Sequence, residues 1–283
     1  MEKIRIEPVS GKRMAEITEN AAHLVKGKVS LISAFCPSAN VPGEAEKTVK
    51  SFLATRHDVE IILVDNECPK NTMDAIGSAV GPDPRVKIVT NTRNLGYSGG
   101  FNTGIRACST EAYIFMQNDR WLDPDCVDAI CNDMSLGLFC EVFFTKDVVE
   151  EIDNRFWLVG QCAEREGFAR LRHYCRFGDG LMDENMFFFP ADTDYNVALA
   201  MAGFDKFELL KDPGIRSRRK DFGKGYSTAS STNAKSIPDT YFEQFVHTAT
   251  GTGWDYFRMK WRFITEHFDV APAVTEKFGQ YWR

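Results

Sequence analysis

The sequence predicts an α/β protein with a mostly parallel sheet and helices on both faces. Short apolar runs alternate with amphipathic helical segments from residue 29 to residue 119, and short loops join them. This alternation favours parallel strands joined by crossover helices. Polar clusters directly follow several of the apolar runs, as is typical where parallel strands end at a ligand-binding edge.

Each element in the first half has its own signal. The predicted strands are short apolar runs, beginning with VSLISAF and VEIILV, at residues 29–35, 59–64, 85–89 and 112–116. Residues 44–55 have apolar residues at helical spacing, and helices are also predicted at 71–80 and at 98–107, the last opened by glycines. The Gly-Pro-Asp-Pro run at 81–84 ends the second helix.

The pattern changes after residue 136. An apolar strand is predicted at 138–144 and a helical stretch at 146–152, and alternation around 168–174 suggests antiparallel strands. Asp192 and Thr193 can cap a helix over residues 194–201, which Gly203 would end. A last helical stretch is predicted at 254–263 in an aromatic-rich tail.

Composition limits the class of protein. The chain has 283 residues, a formal net charge of -6 and a pI near 5.5, which argues against a dedicated nucleic-acid binder. Its eight cysteines form no CxxC pair, so we expect reduced thiols in a cytoplasmic protein and no zinc site. No apolar stretch approaches 18 residues and no signal peptide is evident, so we expect no membrane span.

One segment is strongly basic. Residues 211–235 carry seven basic side chains against two acidic ones, with the run RSRRKDFGK at 216–224. A solvated loop accounts for this composition. The same run could bind phosphates of a donor or an acceptor, and it is compatible with peripheral contact to the inner membrane face or to nucleic acid.

Polar clusters follow three of the predicted strands, at residues 65–66, 91–102 and 118–119. Because the carboxyl ends of parallel strands meet at one edge of a sheet, we expect these clusters to converge. Asp119 has the chemistry of a ligand for Mg²⁺ or Mn²⁺, which proteins hold with one or two carboxylates and substrate phosphates. An aspartate in a tight turn before the helix start at Asp123 is the structural alternative.

A glycine-rich stretch, NLGYSGGFNTG, runs from Asn94 to Gly104. Its glycines permit close backbone approach to a ligand, and the N-terminus of the following helix favours an anion. The stretch is neither GxGxxG nor a P-loop, so a plain strand-to-helix turn is the other interpretation.

Two further places carry candidate catalytic or binding groups. Asp192 and Asp194 follow the apolar run 186–189 and could include a general base, although helix capping also accounts for them. His247 stands between apolar residues and a Thr/Gly run, where a structural role is the ordinary expectation.

Taken in order, these stretches resemble the motifs of family 2 glycosyltransferases, especially the branch of bacterial rhamnosyl- and galactofuranosyl-type enzymes. NLGYSGGFNTGI is the most specific match, to the signature Asn-x-Gly-x-x-Gly-Gly-x-Asn-x-Gly. VSLISAF, IILVDNECPKNT and YIFMQNDRWLDPD resemble the first strand, the strand-end Asp-Asn and the metal-binding strand end. DENMFFFPADTDYNVALAMAGF resembles the acceptor-side motif, and YFRMKW resembles a tail of the same branch. The resemblance spans residues 29–263, with poor matches over 155–182 and 205–245.

The resemblance implies a GT-A fold, a Rossmann-like mixed and mostly parallel sheet flanked by helices. Its catalytic domain would span 28–210, with a donor half at 28–120 and an acceptor half at 121–210. Residues 1–27 would form an N-terminal extension, and the basic loop and helical segment of 211–283 would pack on the catalytic domain.

The resemblance also implies roles for single residues. Asp119 would bind a divalent metal ion, Mg²⁺ or Mn²⁺, and His247 would lie beside the metal and the diphosphate. Asp192 would be the general base, with Asp194 as the second candidate, and Asp65 would contact the base or ribose. The other implied donor-site residues are Phe35, Asn66, Asn94, Gly96, Gly100, Asn102, Asn118 and Arg120.

The implied reaction is a single displacement with inversion at the anomeric carbon. The donor would be a UDP-, dTDP- or GDP-sugar, and the acceptor a lipid-linked saccharide, a soluble glycan or a modified DNA base. Three residues depart from the family pattern: Arg120 replaces a second metal-binding Asp, Ala191 a Glu, and Ala198 an Arg. A non-catalytic binding protein is therefore an alternative. Nucleotidyl transfer is a weaker one, because no basic residue follows the first strand over 35–40.

Overall fold

A computed structural model describes most of the chain. The described residues are 4–5, 27–36, 42–110, 112–118, 120–134, 139–143, 158–164, 182–187, 190–201, 215–217, 240–270 and 272–282. Their strands are β1 (Ile4–Arg5), β2 (Val29–Phe35), β3 (Val59–Asp65), β4 (Val86–Thr90), β5 (Ala112–Phe115), β6 (Arg120–Leu122), β7 (Phe139–Phe143), β8 (Leu158–Glu164), β9 (Ile215–Ser217) and β10 (Phe268–Asp269). The helices are α1 (Pro42–Leu53), α2 (Lys70–Val80), α3 (Gly96–Ala107), α4 (Cys126–Met134), α5 (Ala191–Met201), α6 (Thr240–His267) and α7 (Pro272–Phe278), and a 3-10 turn follows at Gly279–Tyr281.

The main sheet has six strands in the order β4-β3-β2-β5-β8-β7. Strands β4, β3, β2 and β5 are parallel, whereas β8 runs antiparallel to both β5 and β7. Along the chain, β3 and β4 add successively to one side of β2, and β5 then pairs with the other side of β2. The predicted α/β fold with a mostly parallel sheet is confirmed, and its topological switch point lies between β2 and β5.

Helices cover both faces of this sheet because its central strands are apolar on both sides. One core cluster joins β2 and β3 to α1, α2 and α4 through Phe52, Ile76 and Val127. A second cluster lies on the opposite face and includes Phe101 of α3. Helix α3 packs closely on β2 at Gly104, where a Cβ atom would lie 2.3 Å from Cγ2 of Ile32.

The C-terminal part has its own core. Phe257 and Trp261 of α6, Trp282 after the 3-10 turn, and Val197 of α5 belong to one buried cluster. The rings of Trp261 and Trp282 stack with centroids 5.9 Å apart. This cluster packs α6 and α7 against the part of the chain that begins at Met186. At the other end, β1 pairs in parallel with β10, which links the N-terminal residues to the end of α6.

Several element predictions need correction. Helix α5 begins at Ala191, three residues before the predicted start, so Asp192 lies within its first turn and does not cap it. The backbone N–H of Asp194 already donates to Pro190 O at 2.8 Å. Helix α6 is far longer than the predicted 254–263, because residues from 240 onward continue the same helix.

The basic segment contains strand β9, which pairs antiparallel with β6, and neither strand was predicted. Both are three residues long and gain their stability from each other, so no local pattern marks them. The predictions for 146–152 and 168–174 fall outside the described residues. None of the helices in the described part of the chain is both long enough and apolar enough to span a membrane.

Candidate functional site at the carboxyl edge of the sheet

The predicted strand-end clusters meet at one edge of the sheet. Phe35 and Asp65 are register partners at the ends of β2 and β3, and Asp65 is paired with Thr90 of β4. The N–H of Asn66 donates to Phe35 O at 2.8 Å, and the N–H of Asn91 donates to Asp65 O at 2.8 Å. The ends of neighbouring strands are thus joined at the start of each loop.

Asn66 organises the glycine-rich loop. Its side chain is 1% exposed and makes four hydrogen bonds. Nδ2 donates to Asn94 Oδ1 and to Gly96 O, both at 3.0 Å. Oδ1 accepts from Asn91 Nδ2 and from the N–H of Leu95, both at 3.0 Å. Because all four amide positions are used inside the protein, this side chain shapes the loop at the predicted donor site.

Gly96 is at the point where the loop becomes helix α3. Its φ is +74°, in the left-handed region that favours glycine. A Cβ atom at this position would lie 2.3 Å from Phe187 O and 2.7 Å from its ring. Gly100, one turn later, faces Asn66, and a Cβ there would lie 3.0 Å from Nδ2. The glycines therefore permit close internal packing at both positions.

Helix α3 holds residues 182–187 against the loop. Asn102 Nδ2 donates to Met182 O at 2.9 Å, and Asn102 Oδ1 accepts from the N–H of Met182 at 3.0 Å. Ser98 Oγ donates to Met186 O at 2.8 Å, and the N–H of Tyr97 donates to Phe187 O at 2.7 Å. The side chain of Asn102, predicted at the donor, thus connects the donor half to the acceptor-side motif.

Asp65 and its neighbours shape the outer part of the site. Asp65 is half-buried, and its Oδ1 accepts from the N–H of Cys68 at 2.9 Å. Glu67 has a φ of 65°, and its Oε2 accepts from the N–H of Asn94 at 3.1 Å. Burial raises the pKa of the nearby Cys68 thiol to about 12, so that group stays a neutral thiol at neutral pH.

The remaining predicted donor residues are Phe35 at the end of β2, Asn118 after β5 and Arg120 at the start of β6. The ring of Phe35 is fully buried in the core. Asn118 Nδ2 donates to Ala34 O at 3.2 Å, and its carbonyl accepts from Thr48 Oγ1 at 3.1 Å. Arg120 is 3% exposed, and its N–H donates to Gln117 O at 3.2 Å.

The side chains of both predicted metal ligands lie outside the described part of the structure. Asp119 lies between two described residues, and His247 is within α6 although only its backbone is described. Among the described residues, no group of three or more His, Cys, Asp or Glu side chains could hold a metal ion.

Of the two candidate bases, Asp194 is buried in a charged network. Its Oδ2 accepts from Lys260 Nζ at 2.7 Å and its Oδ1 accepts from Trp261 Nε1 at 2.8 Å. The same ammonium donates to Asp183 Oδ2 at 3.0 Å. The three charged side chains are at most 5% exposed. For Asp192, only the backbone is described, in the first turn of α5.

Asp183 has further partners. Its Oδ2 accepts from the Tyr256 hydroxyl at 3.1 Å, and its Oδ1 accepts from Asn185 N at 3.0 Å and Nδ2 at 2.8 Å. Burial raises the pKa of Asp183, but the Lys260 ammonium and the Asn185 hydrogen bonds outweigh burial and lower it overall. Burial also opposes the charge on Lys260, but the two carboxylates reverse that effect and raise the pKa of Lys260.

Sequence reasoning missed Asp183 and Lys260 as a pair because 77 positions separate them. The one available signal was that DENMF and YFRMKW both combine charged and aromatic residues, which suggests charges held at the border of a core. No spacing rule connects two such segments.

Comparisons with known proteins agree with this architecture. Residues 33–170 match the family model described as Glycosyl transferase family 2. Chondroitin synthase from Escherichia coli is 27% identical over 115 residues, which are 39% of this chain and 17% of that protein. An uncharacterized glycosyltransferase, alr2836 from Nostoc sp., is 30% identical over 120 residues, which are 42% of this chain and 34% of the relative. The matched part of the chain therefore spans 17% of one relative's length and 34% of the other's.

Solved structures share the fold at low sequence identity. The mannosyltransferase PcManGT from Pyrobaculum calidifontis, in complex with GDP-Man and Mn²⁺, has a TM-score of 0.55 and 15% identity, covering 89% of this chain and 79% of that one. TarS 1-349 of S. aureus in complex with UDP has a TM-score of 0.50 and 12% identity, covering 65% and 58%. Residues 33–170 are thus similar to the Glycosyl transferase family 2 model, and the chain has the GT-A fold.

Proposed function

We propose that the protein is an inverting glycosyltransferase that moves a sugar from a nucleoside diphosphate donor to an acceptor hydroxyl. The observation that carries the proposal is the convergence of three polar strand ends at the switch-point edge. There, Asn66 folds the glycine-rich loop, and α3 joins that loop to the segment leading into Asp192. The family match supports this activity, and the fold is shared with proteins solved with GDP-Man or UDP.

Donor recognition follows from the same edge. Asp65 lies at the end of β3 and is proposed to contact the base or ribose. The N–H groups of Gly96 and Tyr97 donate to Asn94 Oδ1 and Phe187 O, so we propose that the positive end of the α3 dipole attracts the diphosphate. Arg120, the first residue of β6, is proposed to add positive charge near the leaving group. In this scheme Asn66 and Asn102 keep the loop in shape without contacting the donor.

A divalent cation, Mg²⁺ or Mn²⁺, suits this site. Asn118 follows β5 at the carboxyl edge, where its Nδ2 donates to Ala34 O near the end of β2. A single carboxylate with phosphate oxygens is an ordinary donor set for such a cation, and we propose that Asp119 and His247 hold it with the diphosphate. When bound, the cation would neutralise charge on the departing nucleoside diphosphate.

We propose that Asp192, rather than Asp194, is the general base. A base needs an oxygen that can reach the acceptor hydroxyl. Both oxygens of Asp194 accept hydrogen bonds in the core, and Lys260 neutralises its charge. In the proposed step the acceptor oxygen attacks the anomeric carbon, its proton moves to Asp192, and the bond to the diphosphate breaks.

The test is release of nucleoside diphosphate from UDP-, GDP- and dTDP-sugars in the presence of Mn²⁺ or Mg²⁺. Candidate acceptors are a lipid-linked saccharide, a soluble glycan and DNA with a modified base. Rhamnosyl and galactofuranosyl donors come first, because the sequence resembles that branch. The basic run at 216–224 supports a polyanionic or lipid-linked acceptor reached from the cytoplasm. Absence of turnover with every donor and acceptor would refute the proposal.

Asp192→Asn is expected to lower turnover by about 10²–10⁴-fold, because the amide cannot accept the proton. Donor affinity, measured by calorimetry, should stay close to that of the wild type. The matched control is Asp74→Asn, which removes the charge of an exposed carboxylate that pairs with Lys70 of the same helix. Wild-type turnover in Asp192→Asn would exclude this residue as the base.

A further inference from the structure

One buried ammonium fastens both sides of the segment that carries the proposed base. Asp183 lies nine residues before Asp192 and Asp194 lies two residues after it. Lys260 Nζ donates to both carboxylates, at 3.0 Å and 2.7 Å. Trp261, the next residue, donates to the second oxygen of Asp194. Helix α6 therefore holds the two flanks of Asp192 at a single point.

The opposite side of the same segment is held by the donor loop. Asn102 makes two hydrogen bonds to the backbone of Met182, and Ser98 binds Met186 O. The N–H of Tyr97 binds Phe187 O. Residues 182–187 are therefore held by hydrogen bonds from α3, which shapes the donor site, and by the ion pair with Lys260 of α6.

A buried ion pair is a costly way to achieve stability alone, since apolar residues of similar volume commonly stabilise a core as well or better. The charged network instead fixes the relative positions of the two carboxylates. Charged hydrogen bonds have defined lengths and angles, so they hold Asp183 and Asp194 at fixed separations from one atom. A general base gains from such fixing, because a displacement of about 1 Å can cost about 10²-fold in rate.

We propose that Lys260 is a positioning residue, which sets the location of Asp192 relative to the donor site by binding Asp183 and Asp194 together. This role rests on the proposed function, since it acts through the proposed base. Lys260 itself touches neither donor nor acceptor in this scheme. Tyr256 and Asn185 support it by satisfying the remaining positions on Asp183.

The test compares Lys260→Met, which removes the ammonium but keeps most of the length and volume of the side chain, with Ile264→Ala. Ile264 is on the same helix and belongs to the apolar core that includes Trp261, but its aliphatic side chain has no group that could donate to the two carboxylates. Both variants should lose stability. Only Lys260→Met should lower kcat, by about 10-fold to 100-fold, with donor KM and nucleoside diphosphate affinity within about twofold of wild type. All assays are run below the unfolding transition of the weaker variant.

Hydrogen–deuterium exchange supplies a readout independent of turnover. In Lys260→Met, faster exchange should be concentrated in residues 182–201, with β2 to β5 unchanged. An equal fall in kcat in both variants, or unchanged exchange at 182–201, would overturn the positioning role while leaving the glycosyltransferase assignment intact. No turnover in the wild type with any donor would overturn both. Retention of wild-type kcat by Lys260→Met would overturn the positioning role alone.

Discussion

Gly96→Ala tests the central geometric feature of the site, the contact between the glycine-rich loop and residue 187. The backbone of Gly96 has a φ of +74°, and its Cα faces the backbone of Phe187. A methyl group there meets two separate obstacles. One is the left-handed conformation itself, and the other is an overlap with Phe187 O at 2.3 Å.

The two obstacles set the expected magnitude. An alanine in the left-handed region costs roughly 1–2 kcal/mol. Relief of the overlap requires residues 186–187 to move away, which breaks the hydrogen bonds of Phe187 O and Met186 O with α3. Each bond contributes about 1 kcal/mol. The expected loss in the free energy of unfolding is therefore roughly 3–4 kcal/mol, or a fall in Tm of about 10 °C for a chain of this size.

The assay is thermal and urea unfolding followed by circular dichroism, with calorimetric titration of UDP and GDP. Gly77→Ala is the matched control, since a Cβ at that helical glycine would have no atom within 4 Å. It should gain about 0.5–1 kcal/mol from the better helix former. We expect nucleotide binding to be weaker than wild type in Gly96→Ala and unchanged in Gly77→Ala. Equal stability of Gly96→Ala and the wild type would refute the close packing of the loop against residue 187.

Two further predictions concern the buried polar groups. Asn66→Ala removes four hydrogen bonds, so the free energy of unfolding should fall by roughly 2–4 kcal/mol and nucleotide should bind more weakly. The control is Asn71→Ala at an exposed position, which should change the free energy of unfolding by less than about 0.5 kcal/mol. Nucleotide affinity equal to wild type in Asn66→Ala would contradict its role in shaping the loop. Asp183→Asn should destabilise the protein most at neutral pH. Burial raises the pKa of Asp183, but Lys260 outweighs burial and lowers that pKa overall. The ionised carboxylate therefore stabilises the fold above the pKa of the unfolded state, near about 3.9, and this stabilisation is lost as the pH falls through the lower pKa of the folded state. Urea unfolding from pH 7 to about pH 3 should show the gap between variant and wild type shrinking, and a gap independent of pH would contradict it.

Local pattern was sufficient for the donor half of the fold. Strand β2 was predicted with its observed limits, and β3, β4, α2 and α3 differ from their predicted limits by one or two residues. Buried parallel strands are continuous apolar runs and their helices are amphipathic, so each element carries its own signal. The convergence of residues 65–66, 91–102 and 118 at one edge also followed, because parallel topology alone brings strand ends together.

Tertiary structure decided which polar side chains do what. Asn66 and Asn102 were predicted at the donor, yet their amides are occupied by the protein's own backbone and side chains. The resemblance ranked Asp192 above Asp194 as the base, but only the position of α6 paired Asp194 with Lys260, 66 residues away. Short-range periodicity records which residues are buried and which helix or strand they join. Short-range periodicity does not indicate which distant residues become hydrogen-bond or ion-pair partners, because these pairs depend on how distant elements pack.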